Sequence, residues 1–169
     1  MSAFDHQRMV DTATAFFLAG ERCAPDLKFG PYGVHSVSAP RIVLYALAIE
    51  ITVKLLLSLT GVTARGHRIS QLFVQLPDET REKLAILSEC SGEIDRYFED
   101  WRYPYEKESL VGECDNPRRA FIECYREIRR IEPTLQSVYE KNWERFEPDW
   151  NWAWPELEIQ QVEVGFVGR

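Results

Sequence analysis

The sequence predicts an all-α fold, an antiparallel bundle of four to five helices that ends in a tryptophan-rich, partly extended C-terminal tail. Three observations predict it. Wherever the chain shows a period, apolar residues return at the helical steps of three, four and seven. A central run, residues 42–59, holds fourteen apolar residues in eighteen, which suits a helix surrounded by others rather than one with a wet face. The periodic stretches are four and long, and they are joined by shorter connections, as in a helical bundle.

The first helix is expected over residues 2–19. Met9, Val10, Ala13, Phe16 and Phe17 share one face, Ser2 is available as N-cap, and Gly20 can end the helix. Residues 21–40 hold three prolines and two glycines without a steady period and read as a long loop. The second helix opens after Pro40 and runs to about Thr60, with Gly61 placed to cap it. Glu50, Lys54 and Ser58 are spaced by four, so they form one narrow polar stripe on an otherwise apolar helix. Glu50 precedes Lys54, the favourable orientation for an intrahelical ion pair. Arg65, Gly66, His67 and Arg68 make the turn that follows, and residues 70–76 form one short helical segment before Pro77.

Pro77 suits the first position of the third helix, with Asp78 and Glu79 where the helix dipole favours acid. Leu84, Leu87, Ile94, Phe98 and Trp101 line one face of it. It should end near Trp101, because Tyr103 precedes Pro104 and such residues avoid the helical region. The fourth helix starts at Pro117 behind Asn116 as cap. Phe121, Cys124, Tyr125, Ile128, Ile131, Leu135 and Val138 carry it to about Trp143, with a kink at Pro133.

These boundaries give a bundle over residues 1–142 and an arm over residues 143–169. The arm opens with "WERFEPDWNWAWPE", which contains four of the five tryptophans, and then alternates polar and apolar residues as an extended tail or one short strand would. Each tryptophan has a large apolar area to bury, so the arm is expected to fold over its own bundle or a sister subunit. A docking patch for another protein is the alternative.

At 169 residues the chain is about one domain, long enough to hold a core without staples. A net charge of -7 excludes wholesale coating of nucleic acid or anionic membrane but leaves room for a local basic patch. Cys23, Cys90, Cys114 and Cys124 form no CxxC pair and have no histidine beside them, so no metal site is expected and the thiols read as reduced and cytoplasmic. "MSAFDHQRMV" lacks the charged-then-apolar pattern of a secretion signal. Glu50 and Lys54 at the centre of the oily run make a membrane span costly, so a buried core helix is expected there. Nothing in the sequence calls for a cofactor.

The order of three pieces, "ALAIEITVKLLL", then "GHRISQLF", then "FEDWRYPYE", resembles the HEPN superfamily over residues 1–140, with "TATAFFLAGERCAP" as its leading helix. The resemblance implies an antiparallel helical bundle that pairs as a homodimer. The family holds metal-independent ribonucleases of toxin and antiphage systems as well as inactive RNA-binding or scaffolding members. Its active members carry an arginine followed after four to six residues by a histidine, which together promote attack of an RNA 2'-hydroxyl on the neighbouring phosphate. Histidine suits that work by titrating near neutrality, and arginine by the planar fork that holds phosphate.

Here the motif would fall at Arg102, and "RYPYEKES" supplies Tyr103, Tyr105 and Glu106 but no histidine. His6, His35 and His67 have no arginine at the required spacing. The resemblance therefore implies a non-catalytic member, a dimeric regulatory subunit that binds RNA or protein in a bacterial stress or defence setting. Arg102, with Tyr103, is carried over as a phosphate or partner contact, against the plain reading of a guanidinium paired with Glu99 or Glu106. The alternative is a divergent ribonuclease in which Arg102 works with Tyr105, Glu106 or His67.

His67 otherwise reads as a cap or packing residue that orients the next helix, and Glu50 with Lys54 as an internal polar pair that fixes register. Arg119, Arg126 and Arg130 fall near one face of the fourth helix, where they would follow a phosphate backbone while Tyr125 stacked on a base. Glu123, Glu127 and Glu132 are interleaved with them and favour a salt-bridged, solvated face.

Overall fold

The computed structural model describes residues 5–23, 28–30, 33–35, 38–100 and 115–142. The fold is mostly helical: α1 spans His6–Arg22, α2 Ser38–Leu59, α3 Ile69–Phe73, α4 Asp78–Lys83, α5 Ala85–Asp100, α6 Asp115–Ile131 and α7 Val138–Lys141. The long connection after α1 is not all loop. It carries a short antiparallel hairpin, β1 Lys28–Gly30 and β2 Gly33–His35, in the register Lys28 to His35 and Phe29 to Val34.

α1 opens at His6, behind Asp5, whose carboxylate accepts the Arg8 amide at 3.0 Å. Ser2, the expected cap, lies outside the described residues. Gly20 does not end α1 but sits inside it, buried, where a Cβ would come 2.7 Å from the Tyr45 ring. The glycine is there to let α1 and α2 approach, not to turn the chain.

α2 is the interior rod. It packs on α1, α3, α5 and α6, and Ile42, Tyr45, Ala48, Ile49, Val53 and Leu55 to Leu57 are all fully buried. By length and hydropathy alone residues 40–59 could cross a membrane, and in this fold neighbouring helices bury 56% of that stretch. Gly61 ends it as expected: with φ +77° it lets the Val62 amide reach back to the Leu57 carbonyl at 2.8 Å, satisfying a carbonyl the helix end would orphan.

The single helix expected from Pro77 is two. Pro77 is the extended N-cap of α4 rather than its first helical residue, and Leu84, with φ -109° and ψ 49°, separates α4 from α5. Leu84 is fully buried, and its carbonyl still accepts from the Leu87 amide at 3.0 Å, so the break is confined to one residue. The kink expected at Pro133 is instead a stop, and α6 ends at Ile131. A proline removes an amide donor and pushes the residue before it out of the helical region. Glu132 closes the turn by accepting from the Thr134 hydroxyl at 2.6 Å, and α7 then starts behind Ser137.

Helix direction follows from cross-helix pairs. His6 meets Ser58 while Glu21 meets Arg41, so α1 and α2 are antiparallel. Arg130 lies near Glu79 of α4 while Glu123 meets the Ile86 backbone, so α6 runs against the α4–α5 segment. Inside, Phe17 stacks on Phe121 with ring centroids 4.2 Å apart and on Tyr45 at 5.5 Å, joining α1, α2 and α6 through one aromatic column.

Candidate functional site

The polar stripe of α2 finds partners along its whole length. At its lower end, Ser58 meets His6 of α1, oxygen to Nε2, at 2.8 Å. In its middle, Lys54 donates to Glu50 Oε1 at 2.7 Å, and His67 Nδ1 lies 3.0 Å from that same oxygen. Lys54 Nζ is 3.4 Å from Nδ1. A carboxylate only accepts and an ammonium only donates, so in the tautomer that bonds Glu50 the proton sits on Nδ1 and the lone pair on Nε2, and in the other Nδ1 accepts from Lys54. The Glu50 side chain is 13% exposed and that of His67 82%, so a nearly buried anion orients an open imidazole.

The turn that presents His67 is held on both sides. Gly66 has φ +94°, a left-handed backbone that other residues adopt at a cost. Gln75 clasps Arg65 through two bonds, accepting its amide at 3.2 Å and donating to its carbonyl at 3.0 Å. On the other side Asp95 of α5 accepts from the Ser70 amide and hydroxyl and from the Ile69 amide, capping α3 from outside. His67 is thereby a preorganised group rather than a loose loop side chain, with Arg65 and Arg68 exposed beside it.

The arginines of α6 are largely engaged with acid. Arg130 donates twice to Glu127 at 2.7 Å, Arg118 donates to Glu21 at 3.2 Å, and Arg129 to Glu140 at 3.1 Å. Arg119 and Arg126 stand near Glu123, whose carboxyl burial pushes above the ordinary range while a backbone hydrogen bond from Ile86 and the two cations pull it back. The interleaved acids thus offset the basic face. Tyr125 does not belong to it at all. Its ring is 1% exposed, and its hydroxyl donates to Glu140 at 2.5 Å while accepting the Ser137 amide at 3.0 Å, so it is a core residue that anchors α7 and cannot stack on a base.

One cluster escaped the sequence reading. Glu21 at the end of α1 accepts from the Tyr45 hydroxyl and Arg118 and pairs with Arg41 at 3.7 Å. Arg41 Nε also donates to the Tyr45 hydroxyl at 2.9 Å. Burial, then the Glu21 charge, drives the Tyr45 phenol far above its ordinary range. The cluster ties α1, α2 and α6 at one end of the bundle. Its only signal in the sequence is Arg41 four residues before Tyr45, one turn apart on α2.

Arg102, Tyr103, Tyr105 and Glu106 lie outside the described residues, as do Cys114 and the arm from residue 143. Cys23, Cys90 and Cys124 are free thiols. Among the described residues no group of histidine, cysteine and acidic side chains is placed to hold a metal ion. The chain matches no family model, no curated protein and no solved structure.

Proposed function

We propose that the chain is a non-catalytic HEPN-like subunit, a homodimeric cytoplasmic regulator that binds RNA or a protein partner in a bacterial stress or defence system. The observation that carries this reading is the convergence of Glu50, Lys54 and His67. Those residues belong to two of the three sequence pieces that prompted the resemblance, and in the fold they act as one fastener between the interior helix and the turn after it. Lys54 neutralises the carboxylate that orients the imidazole, which suits a structural joint better than a proton relay. The neutralised arginine face of α6 makes a long phosphate track there unattractive and leaves the exposed turn at Arg65, beside His67, as the surface for an anionic partner.

One observation favours a second reading, a divergent metal-independent ribonuclease using Arg102 together with His67. The His67 ring is open, and in the tautomer that donates Nδ1–H to Glu50 its Nε2 carries the lone pair that a general base needs. Purified protein incubated with RNA in EDTA separates the two. Retained RNA, with Arg65→Glu weakening a gel shift, supports the binding reading. Cleavage abolished by His67→Ala in a folded protein would replace it with the enzymatic one.

A further inference from the structure

A groove of about 600 Å³ runs along the outer side of α1, between α2 and α7. Its floor is apolar, formed by Ala15, Phe16, Ala19 and Leu44, and Val138 and Tyr139 of α7 form one lip. Phe16 and Leu44 are only half-buried, so an aromatic ring and a leucine face an opening that nothing in the described residues fills. α7 is fixed at one end of this groove by two bonds to α1. The Val138 amide donates to Asp11 at 2.7 Å, and Gln7 donates to the Gln136 carbonyl at 3.0 Å. α7 is only four residues long, so the chain leaves it within about 6 Å of the lip residues Val138 and Tyr139, and the first tryptophan, Trp143, comes two residues after the end of α7.

We propose that this groove is the seat of the chain's own tryptophan-rich segment, residues 143–154, bound within the same molecule. Length allows it. From Gln7 to Ala19 the groove follows about 18 Å of helix at 1.5 Å per residue, and an extended segment of roughly six residues covers that distance at about 3.3 Å each. The twelve residues from 143 to 154 exceed the need, and Trp143, Phe146, Trp150 and Trp152 fall within them. Chemistry agrees, since indole rings bring a large apolar area with one polar edge, and the floor is apolar while Asp11 and Thr12 give it a polar margin. Placement in the same molecule follows from the start of the segment at the rim, where its effective concentration is high.

Tryptophan emission of the full chain tests the proposal, because four of the five tryptophans lie in this segment. The native protein should emit as buried indole, and Ala15→Arg, which fills the floor from a partly exposed position, should shift emission to the red with the helical circular-dichroism signal kept. A second measurement does not depend on that variant folding. In a chain with Cys23 and Cys114 replaced by serine, cysteines placed at exposed Thr12 and at Trp150 should be joined by a short bifunctional reagent within one chain, while either cysteine alone gives no such link. Emission already that of water-exposed indole, emission indifferent to Ala15→Arg, or cross-links only between chains would overturn the proposal. The last of these would place the segment on a second copy.

Discussion

Glu50 Oε1 lies 2.7 Å from Lys54 Nζ and 3.0 Å from His67 Nδ1, so one carboxylate oxygen joins the middle of the interior helix to the turn beyond its end. The joint spans seventeen residues of chain. It explains how a helix as apolar as α2 can carry Glu50 and Lys54 at its middle without exposing its core.

Replacing Lys54 with methionine should leave the Glu50 carboxylate largely buried with only His67 beside it. The expected loss is about 2 kcal/mol, because removing one partner of a sheltered pair strands the other. Chemical denaturation should show the midpoint falling at unchanged slope. Lys83→Ala, which breaks the exposed pair with Glu79, should leave the midpoint nearly where it was.

Gly20→Ala should destabilise the protein although alanine is the better helix former. The new Cβ would stand 2.7 and 2.8 Å from two carbons of the Tyr45 ring, and that ring is held by Phe17 on its face and by Glu21 and Arg41 at its hydroxyl. A cost of about 1–3 kcal/mol from forced repacking outweighs a helix-propensity gain of about 1 kcal/mol at most. Thermal melts of the two proteins measure the balance.

Stability should fall as pH rises above about 9. Burial pushes the Cys90 thiol up to about 11 and the Cys124 thiol and Tyr45 phenol higher still. In the unfolded chain these groups release protons near pH 9 to 10, while in the folded state they keep them, so the unfolded state binds fewer protons and stability declines. The slope is about 1.4 kcal/mol per pH unit for each such group. Denaturation at stepped alkaline pH should show the decline, and Cys124→Ala should flatten it. In the native protein at pH 8, Cys90 and Cys124 should resist a thiol reagent that labels them in denaturant.

Much of this architecture was legible in the residues. The apolar run of α2 announced an interior helix, and the spacing of four among Glu50, Lys54 and Ser58 announced its polar stripe. What that spacing could not convey was the partner of each stripe residue, because His6 and His67 arrive from other parts of the chain. Gly20 and Pro133 were read for local effect alone, and both were decided by context. A glycine serves as a contact when a ring occupies the space of its Cβ, and a proline ends a helix when a capping carboxylate such as that of Glu132 closes the turn behind it. Tyr125 had two readings, one on the apolar period of its helix and one as a base-stacking ring beside the arginines, and its burial with the hydroxyl bonds to Glu140 and Ser137 decides for the first.

Asp95→Ala should loosen the His67 turn from a distance. The carboxylate holds the first two amides of α3, so its loss costs about 1–2 kcal/mol, as for other helix caps. Hydrogen exchange should quicken at Ile69 and Ser70 while the amides of α6 keep their protection.

A thermodynamic cycle on Glu50→Gln, His67→Ala and the double variant tests the fastener most directly. A coupling of about 0.5–1.5 kcal/mol, with the single variants still folded, is the result expected of a joint between α2 and its following turn. Additive effects within about 0.3 kcal/mol would contradict it and leave His67 free for other work.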